Sequence, residues 1–209
     1  LMVKAMPAVV VHPGRHVTWY GEADTQRARA QAILSALLGA IWAPGGLYRP
    51  APPPALKDFP SPDFPELPAN VDKAASRFPF ATEVSTTGIR DATRTGVPYP
   101  IKGWFVHGSN LIQSLPNQHE TIEAIRSLDM LVVTDIQPTE ITDWADVVFP
   151  EDNYLERYDD LKTGGNLRPY IAIRQPVVRS PYDTRPAWRI AKELGTELGV
   201  GDFFAFDTF

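Results

Sequence analysis

Cysteine is missing from all 209 residues of the chain. Its absence excludes disulfide bonds, cysteine-ligated iron–sulfur clusters and a cysteine nucleophile within this chain. No apolar run approaches the roughly 18 residues that a membrane helix needs, and no large basic block accompanies the net charge of −5. Nucleic-acid binding therefore has no electrostatic support. The hydrophobic content of 44% is sufficient for one large domain or two small ones.

Proline is abundant instead, and nine of its 21 residues fall between Pro44 and Pro68. At this density, residues 47–70 cannot form a regular helix or strand ladder. The segment is either a linker or an extended piece packed on a surface through its recurring aromatic and leucine side chains, and we favour the second interpretation. Residues 71–100 are predicted to be irregular, with one helical turn near Ile89–Thr93.

The amino-terminal part of the chain carries the pattern of a strand followed by a helix. The β-branched run Ala8–Val11 precedes a Pro-Gly turn and is predicted to be a buried strand. A helix is predicted from Asp24 or Thr25, either of which is a suitable N-cap, to about Leu38. Gly39 ends this helix. Its predicted apolar stripe consists of Leu34, Leu37, Leu38 and Ile41.

Residues 101–158 have the pattern of a parallel sheet with a crossover helix. Asn117 and Glu120 predict a capping box and a helix to about Ser127. Short apolar runs flank this helix, and such runs are typical of strands covered on both faces. They are Trp104–Val106, Met130–Thr134 and Asp146–Phe149. The predicted fold is α/β, with a partial doubly wound, mainly parallel sheet (a Rossmann-like half domain) and a proline-rich irregular insertion.

The carboxyl-terminal part is predicted to add extended pieces at Tyr170–Ile173 and Pro176–Val178 and one more helix. Asp183 or Thr184, followed by Pro186, is a suitable start for this helix. Its apolar positions are Trp188, Ala191, Leu194 and Leu198, and Gly199 ends it.

Small polar residues follow the first predicted strand, in the turn His107-Gly108-Ser109-Asn110. A strand–turn–helix unit of this kind presents backbone N–H groups to phosphates. Gly108 permits a positive φ or a close approach, and Asn110 offers both a donor and an acceptor. The alternative is an ordinary turn.

Thr134-Asp135 closes the next strand. An aspartate at the carboxyl end of a strand is well placed to accept hydrogen bonds from a ribose or a guanine. It could equally cap a turn or a helix.

These motifs resemble, in order and spacing, those of the bis-molybdopterin guanine dinucleotide oxidoreductases. The matching pieces of the sheet region are Gly108-Ser109-Asn110, Thr134-Asp135, Pro138-Thr139, Ala145-Asp146, Pro150 and Glu156-Arg157. The matching pieces nearer the amino terminus are Trp19-Tyr20-Gly21, Leu37-Leu38-Gly39 and Pro44-Gly45-Gly46. The resemblance leaves out the proline-rich segment and residues 71–95.

The resemblance implies a set of cofactor-binding residues. Asn110, Thr134, Asp135 and Arg157 would hold a guanosine diphosphate end of one pterin cofactor, beside His107, Gly108 and Ser109 of the turn. Tyr20 and Asp24 fall at positions that contact the cofactor in relatives. From the residues alone, Arg157 is otherwise a surface charge beside Glu156.

The loop Pro13-Gly14-Arg15-His16 resembles the polysulfide and thiosulfate reductase branch of the family. The resemblance implies catalytic roles there: Arg15 would hold an anionic sulfur substrate, and His16 would assist proton delivery. A structural histidine is the alternative for His16.

The resemblance also implies cofactors and partners. The parent enzyme would carry bis-molybdopterin guanine dinucleotide with molybdenum or tungsten, and a 4Fe-4S cluster in an amino-terminal part that this chain lacks. Its partners would be the rest of the catalytic subunit, an iron–sulfur electron-transfer subunit and a membrane anchor subunit, at the periplasmic face of the cytoplasmic membrane. No metal ligand is assigned to this chain.

We divide the chain into residues 1–46 and 101–209, both parts of cofactor-binding α/β structure, and the irregular segment 47–100 between them. We expect an internal piece of a catalytic subunit that reduces polysulfide, thiosulfate, tetrathionate or a related oxyanion. Two alternatives are a metal-free scaffold module of a respiratory complex and a free-standing flavodoxin-like domain.

Overall fold

A computed structural model describes residues 1–12, 24–48, 51–52, 70–71, 84–164, 168–204 and 206 of the chain. The predicted strand Ala8–Val11 is wrong. A four-residue helix, α1 (Met2–Ala5), precedes these residues, and they form no strand. A β-branched run becomes a strand only where another strand pairs with it, and none of the described strands lies beside this one. The side chain of Val10 is exposed.

Helix α2 (Asp24–Leu37) confirms the predicted helix and its end at Gly39, which has a φ of 62°. The predicted apolar stripe is only partly buried. Leu38 is buried, whereas Leu37 is 74% exposed and Leu34 and Ile41 are also exposed. The buried polar residue of this helix is Ser35, whose hydroxyl donates to the Gln31 carbonyl at 3.0 Å.

Helix α3 (Thr86–Thr95) is longer than the single turn predicted near Ile89–Thr93. Its buried face includes a charged residue, Arg90. A pattern of apolar residues cannot indicate a buried arginine. Arg90 donates to the Pro116 carbonyl at 2.7 Å and pairs with Glu120 at 2.7 Å.

Three parallel strands form the main sheet, in the order β1 (Gly103–His107), β2 (Met130–Asp135) and β3 (Val147–Pro150). Two helices, α4 (Leu111–Ser114) and α5 (Gln118–Arg126), make the crossover from β1 to β2. The three predicted strands and the α/β fold class are confirmed. Since crossover helices cover one face of a parallel sheet, the core lies there. Its buried members are Val106, Ile112, Ile125, Leu131, Val133 and Ile141.

The predicted capping box of α5 does not form. Asn117 is the N-cap residue, but its φ is 60° and its side chain makes no cap hydrogen bond. Glu120 instead pairs with Arg90 and Arg94 of α3. The Glu120 carboxylate therefore pairs with arginines of another helix instead of capping the backbone of α5.

The carboxyl-terminal part contains an antiparallel strand pair, β4 (Lys162–Gly164) and β5 (Tyr170–Ala172), and the helix α6 (Ala187–Glu197). A short 3₁₀ helix follows at Gly201–Phe204. The strand predicted at Tyr170–Ile173 is confirmed, but the predicted extended piece Pro176–Val178 contains a bend at residues 177–178.

The bend at residues 177–178 forms because the backbone amides of Val177 and Val178 both donate to the Leu155 carbonyl, at 2.8 and 3.2 Å. The N-cap of α6 is Pro186, without a side-chain cap, rather than Asp183 or Thr184. Within the described parts of the chain, no helix is long and apolar enough to cross a membrane.

Candidate functional site

The carboxyl ends of the three parallel strands meet at one edge of the sheet. His107 lies opposite Thr134 in the strand register, and Asp135 lies opposite Pro150. The amide of Glu151 donates to the Asp135 carbonyl at 3.0 Å, which continues the ladder one residue beyond β3. We call this region the carboxyl edge; it consists of residues 107–110, 134–135 and 150–151.

Gly108 turns the chain at the end of β1 with a φ of 57°, which is one of the two possibilities that the sequence left open. Its amide donates to the Thr134 carbonyl at 2.9 Å. A Cβ at this position would meet no heavy atom of the described residues within 4 Å. The positive φ therefore favours glycine, and no described side chain fills the space beside the turn. Ser109, the next residue, is half-buried.

Asn110 presents an unsatisfied acceptor at the carboxyl edge. Its Nδ2 donates to a carboxylate oxygen of Glu140. Its Oδ1 is buried and accepts no hydrogen bond in the part of the chain that the structure describes. Asn110 stands at the N-cap position of α4 but makes no side-chain cap bond. Buried polar atoms are nearly always paired, so this oxygen needs a donor that the described residues do not supply.

Glu140 orients the Asn110 amide. One of its carboxylate oxygens accepts from Asn110, and the other accepts from Gln113 Nε2 at 2.9 Å. The hydrogen bond from its own backbone amide, followed by those from Asn110 and Gln113, lowers the pKa of the Glu140 carboxyl below its usual value. Because the carboxylate accepts from Nδ2, the amide is held with Oδ1 turned away from Glu140.

The side chains of Thr134 and Asp135 both form hydrogen bonds to nearby backbone groups of the fold. Thr134 is buried, and its hydroxyl donates to the Phe149 carbonyl at 3.0 Å across the sheet. Asp135 Oδ1 accepts from the amide of Ile136 at 2.7 Å, which is the turn-capping role. Asp135 Oδ2 accepts no hydrogen bond from the described residues and lies at the same edge as Asn110.

Arg157 and His107 both contact the carboxylate of Glu151. The Glu151 side chain is buried, with only 2% of it exposed. His107 Nε2 lies 2.9 Å from Glu151 Oε2, and Arg157 Nη1 contacts Glu151 Oε1. Arg157 Nη1 also donates to the Asp152 carbonyl at 2.8 Å, and its Nε donates to Asp159 Oδ1 at 2.8 Å. Arg157 is therefore not a free surface charge paired with Glu156.

Residues 151–152, which follow β3, form hydrogen bonds with residues 184–185 beside the carboxyl edge. The Thr184 hydroxyl bonds Asp152 Oδ1, and the Asp152 amide donates to the Arg185 carbonyl at 3.2 Å. Glu151 and Arg185 form an isolated parallel bridge. These contacts hold Glu151 in place from the side opposite to the strands.

Four of the sequence-predicted site residues cannot be placed with their side chains. Arg15, His16 and Tyr20 lie outside the described residues, and Asp24 begins α2 but its side chain lies outside the description. Among the side chains that are described, no group of three histidine, aspartate or glutamate residues could hold a metal ion.

Two acidic residues at or beside the carboxyl edge were missed from the sequence: Glu151, which belongs to the edge, and Glu140, which contacts Asn110. Each is an acidic residue in a loop that follows the end of a predicted strand, the position where α/β proteins place ligand-binding groups. That position is the signal that would have identified Glu151, which directly follows Pro150.

Comparisons with known proteins agree on one family. Residues 17–197 match the family model described as Molybdopterin oxidoreductase. The chain is 30% identical over 217 residues to the thiosulfate reductase molybdopterin-containing subunit PhsA of Salmonella typhimurium, covering 95% of the chain and 28% of that protein. It is 26% identical over 205 residues to the arsenate respiratory reductase molybdopterin-containing subunit ArrA of a Shewanella species, covering 88% of the chain and 23% of that protein.

A solved structure, that of acetylene hydratase from Pelobacter acetylenicus, matches the fold with a TM-score of 0.53 and 25% sequence identity. The match covers 60% of the chain and 17% of the acetylene hydratase chain. The chain thus spans less than a third of the length of each of these proteins.

Proposed function

Because this chain belongs to the molybdopterin oxidoreductase family, we propose that it is the part of a catalytic subunit that holds one guanosine diphosphate end of a molybdenum or tungsten bis-pterin cofactor. The observation that carries the proposal is the buried, unpaired Oδ1 of Asn110 beside the open Gly108 turn. A guanosine offers several N–H and O–H donors to such an acceptor.

The described residues of the carboxyl edge fit a nucleotide. Asn110 Oδ1 and Asp135 Oδ2 are acceptors for its base and ribose donors. Arg157 Nη2 makes no hydrogen bond to a described residue, so it can donate to a phosphate oxygen. The bound metal–pterin group would supply the redox chemistry, while the chain binds and orients it.

We propose further that the parent enzyme reduces polysulfide, thiosulfate, tetrathionate or a related oxyanion. The names of two relatives, a thiosulfate reductase and an arsenate respiratory reductase, support an oxyanion or sulfur substrate. Arg15 is the proposed anion-binding residue and His16 the proposed proton donor. A guanidinium matches the geometry of an oxyanion.

The proposed setting of the enzyme follows from the same family. An iron–sulfur electron-transfer subunit and a membrane anchor subunit would accompany the catalytic subunit at the periplasmic face of the cytoplasmic membrane. Co-purification of the catalytic subunit with these two subunits from the native source would test this placement.

The nucleotide content of the purified catalytic subunit tests the cofactor proposal. Acid hydrolysis of a guanine dinucleotide cofactor releases GMP, so GMP and metal are measured per polypeptide. We expect Asn110→Ala to lower both, because Oδ1 loses its role as acceptor. The matched control is Asn70→Ala, which changes an exposed asparagine. An unaltered subunit that contains metal but releases no GMP would refute the proposal.

The substrate proposal needs a second measurement, because loss of cofactor also abolishes turnover. We expect Arg15→Ala to retain GMP and metal but to lower thiosulfate or polysulfide reduction. We expect Asp135→Ala to lower the GMP content itself. Equal loss of metal in the two variants would contradict this division of roles.

A further inference from the structure

Glu151 is a buried carboxylate that two basic side chains share. Its side chain is 2% exposed, Arg157 occupies one of its oxygens and His107 the other. Arg157 can only donate, because a guanidinium has no acceptor atom. An ionised carboxylate can only accept hydrogen bonds, so in its pair with Glu151 the His107 imidazole donates through Nε2–H.

This contact decides what the other ring nitrogen of His107 can do. In a neutral imidazole one nitrogen donates and the other accepts. With the proton of Nε2 committed to Glu151, Nδ1 is left with a lone pair. The His107 side chain is 52% exposed, and Nδ1 makes no hydrogen bond within the described ranges of the chain. His107 ends β1 directly before the Gly108 turn, so Nδ1 is an acceptor at the carboxyl edge.

We propose that Glu151 is a positioning residue that fixes the tautomer of His107, and that His107 Nδ1 accepts a hydrogen bond from a hydroxyl or N–H group of the bound guanosine. The inference rests on the proposed function, since it needs a nucleoside at this edge. It adds a nitrogen acceptor to the oxygen acceptors of Asn110 and Asp135. Glu151 acts through His107 and does not touch the ligand.

The isosteric variant Glu151→Gln tests the tautomer while keeping the shape of the side chain. Arg157 must still receive an acceptor, so the amide oxygen of the new side chain faces Arg157. Its NH₂ group then faces His107 and can only donate. Nε2 must accept, and the ring proton moves to Nδ1. The variant thus converts Nδ1 from an acceptor into a donor while it preserves the contact to Arg157.

The experiment measures the rate at which the holoenzyme releases its cofactor on mild warming, at slightly alkaline pH, where imidazoles are ordinarily neutral. Released pterin is followed by the fluorescence of its oxidised form, and GMP is measured in parallel. We expect Glu151→Gln and His107→Phe each to raise the release rate about tenfold, the effect of losing one ordinary hydrogen bond. The double variant should also release about tenfold faster, because both changes remove the same contact.

A purely structural role of Glu151 would give a different result. The two changes would then act independently, and a double variant that releases cofactor about a hundredfold faster would overturn the inference. An unchanged release rate in His107→Phe would also overturn it. This variant alters an exposed side chain, so it provides the test even if Glu151→Gln does not fold.

A matched control is available on α5, where His119 pairs with Glu123 at 3.2 Å on the helix surface. The His119 side chain is 79% exposed. His119→Phe combined with Glu123→Gln should leave the release rate unchanged, and an equal acceleration there would overturn the inference. Unaltered holoenzyme that releases no GMP would overturn the proposed function as well. Holoenzyme that contains GMP but shows unchanged release in the variants would overturn the roles of His107 and Glu151 and leave the proposed function standing.

Discussion

Ala145-Asp146 is one of the sequence pieces that carry the family resemblance, but in the structure Asp146 stabilises the sheet. Its Oδ2 accepts from the amide of Leu131 at 2.7 Å, and its own amide donates to the Leu131 carbonyl at 2.9 Å. These two bonds join the start of β2 to the start of β3, at the end of the sheet opposite to the carboxyl edge. Asp146→Ala should therefore loosen the sheet.

The magnitude follows from the bond that is lost. A hydrogen bond to a charged group contributes about 1.5–3 kcal/mol. Asp146 is exposed to solvent, which lowers this to about 1–2 kcal/mol because water can replace part of the bond. Since about 1.4 kcal/mol corresponds to a tenfold change, the Leu131 amide should exchange its hydrogen about 5- to 30-fold faster. Asp146→Asn keeps a neutral acceptor and should cost about 0.5 kcal/mol, roughly a twofold change.

Hydrogen–deuterium exchange with mass spectrometry measures this effect in the peptide that contains β2. The peptide that contains α6 serves as the internal reference, because α6 makes no contact with Asp146 through the bonds described. Equal exchange in Asp146→Ala and the unaltered protein would refute the reasoning. So would equal acceleration in Asp146→Ala and Asp146→Asn, since only the alanine variant loses the acceptor entirely.

Three further predictions concern stability. Arg90→Ala should lower the urea midpoint, with a loss of about 2 kcal/mol, because the buried guanidinium joins Glu120 to a backbone carbonyl; an unchanged midpoint would contradict this. Gly46→Ala should lower the thermal midpoint, because its Cβ would lie 2.2 Å from the Ala40 carbonyl oxygen; a midpoint equal to that of the unaltered chain would show that this turn can shift freely. The pKa of Glu140 is lowered in the folded state, so its stabilising effect is present above its usual value of 4.5 and is lost as the pH falls through the folded value. The thermal midpoints of the unaltered protein and Glu140→Gln should therefore converge on acidification, and a constant difference from neutral to acidic pH would contradict the assignment.

The parallel strands could be predicted from the sequence because their signal is local. Runs such as Met130–Thr134 are apolar over the length of a strand, as a strand covered on both faces requires. Gly108 in the turn after β1 indicated either a positive φ or a close approach, and the structure shows the positive φ.

The contacts of the carboxyl edge could not be predicted because they depend on register. His107 and Glu151 are 44 positions apart, and only the pairing of three strands brings them together. The predicted capping box is absent for a related reason, because Glu120 forms ion pairs with Arg90 and Arg94 of another helix. A local sequence motif does not indicate which distant residues will compete for the same side chain.

The closeness in sequence of the parallel strands has a consequence for biosynthesis. All of their pairings fall within residues 103–150, and β1, β2 and β3 follow one another in the sheet as they do along the chain. Sheets built from such neighbouring contacts form faster than those that join distant segments. Since chains emerge from the ribosome at about 5–20 residues per second, this sheet can pair within seconds of the synthesis of Pro150. The pairing of the three strands therefore requires no residue that is synthesised after Pro150.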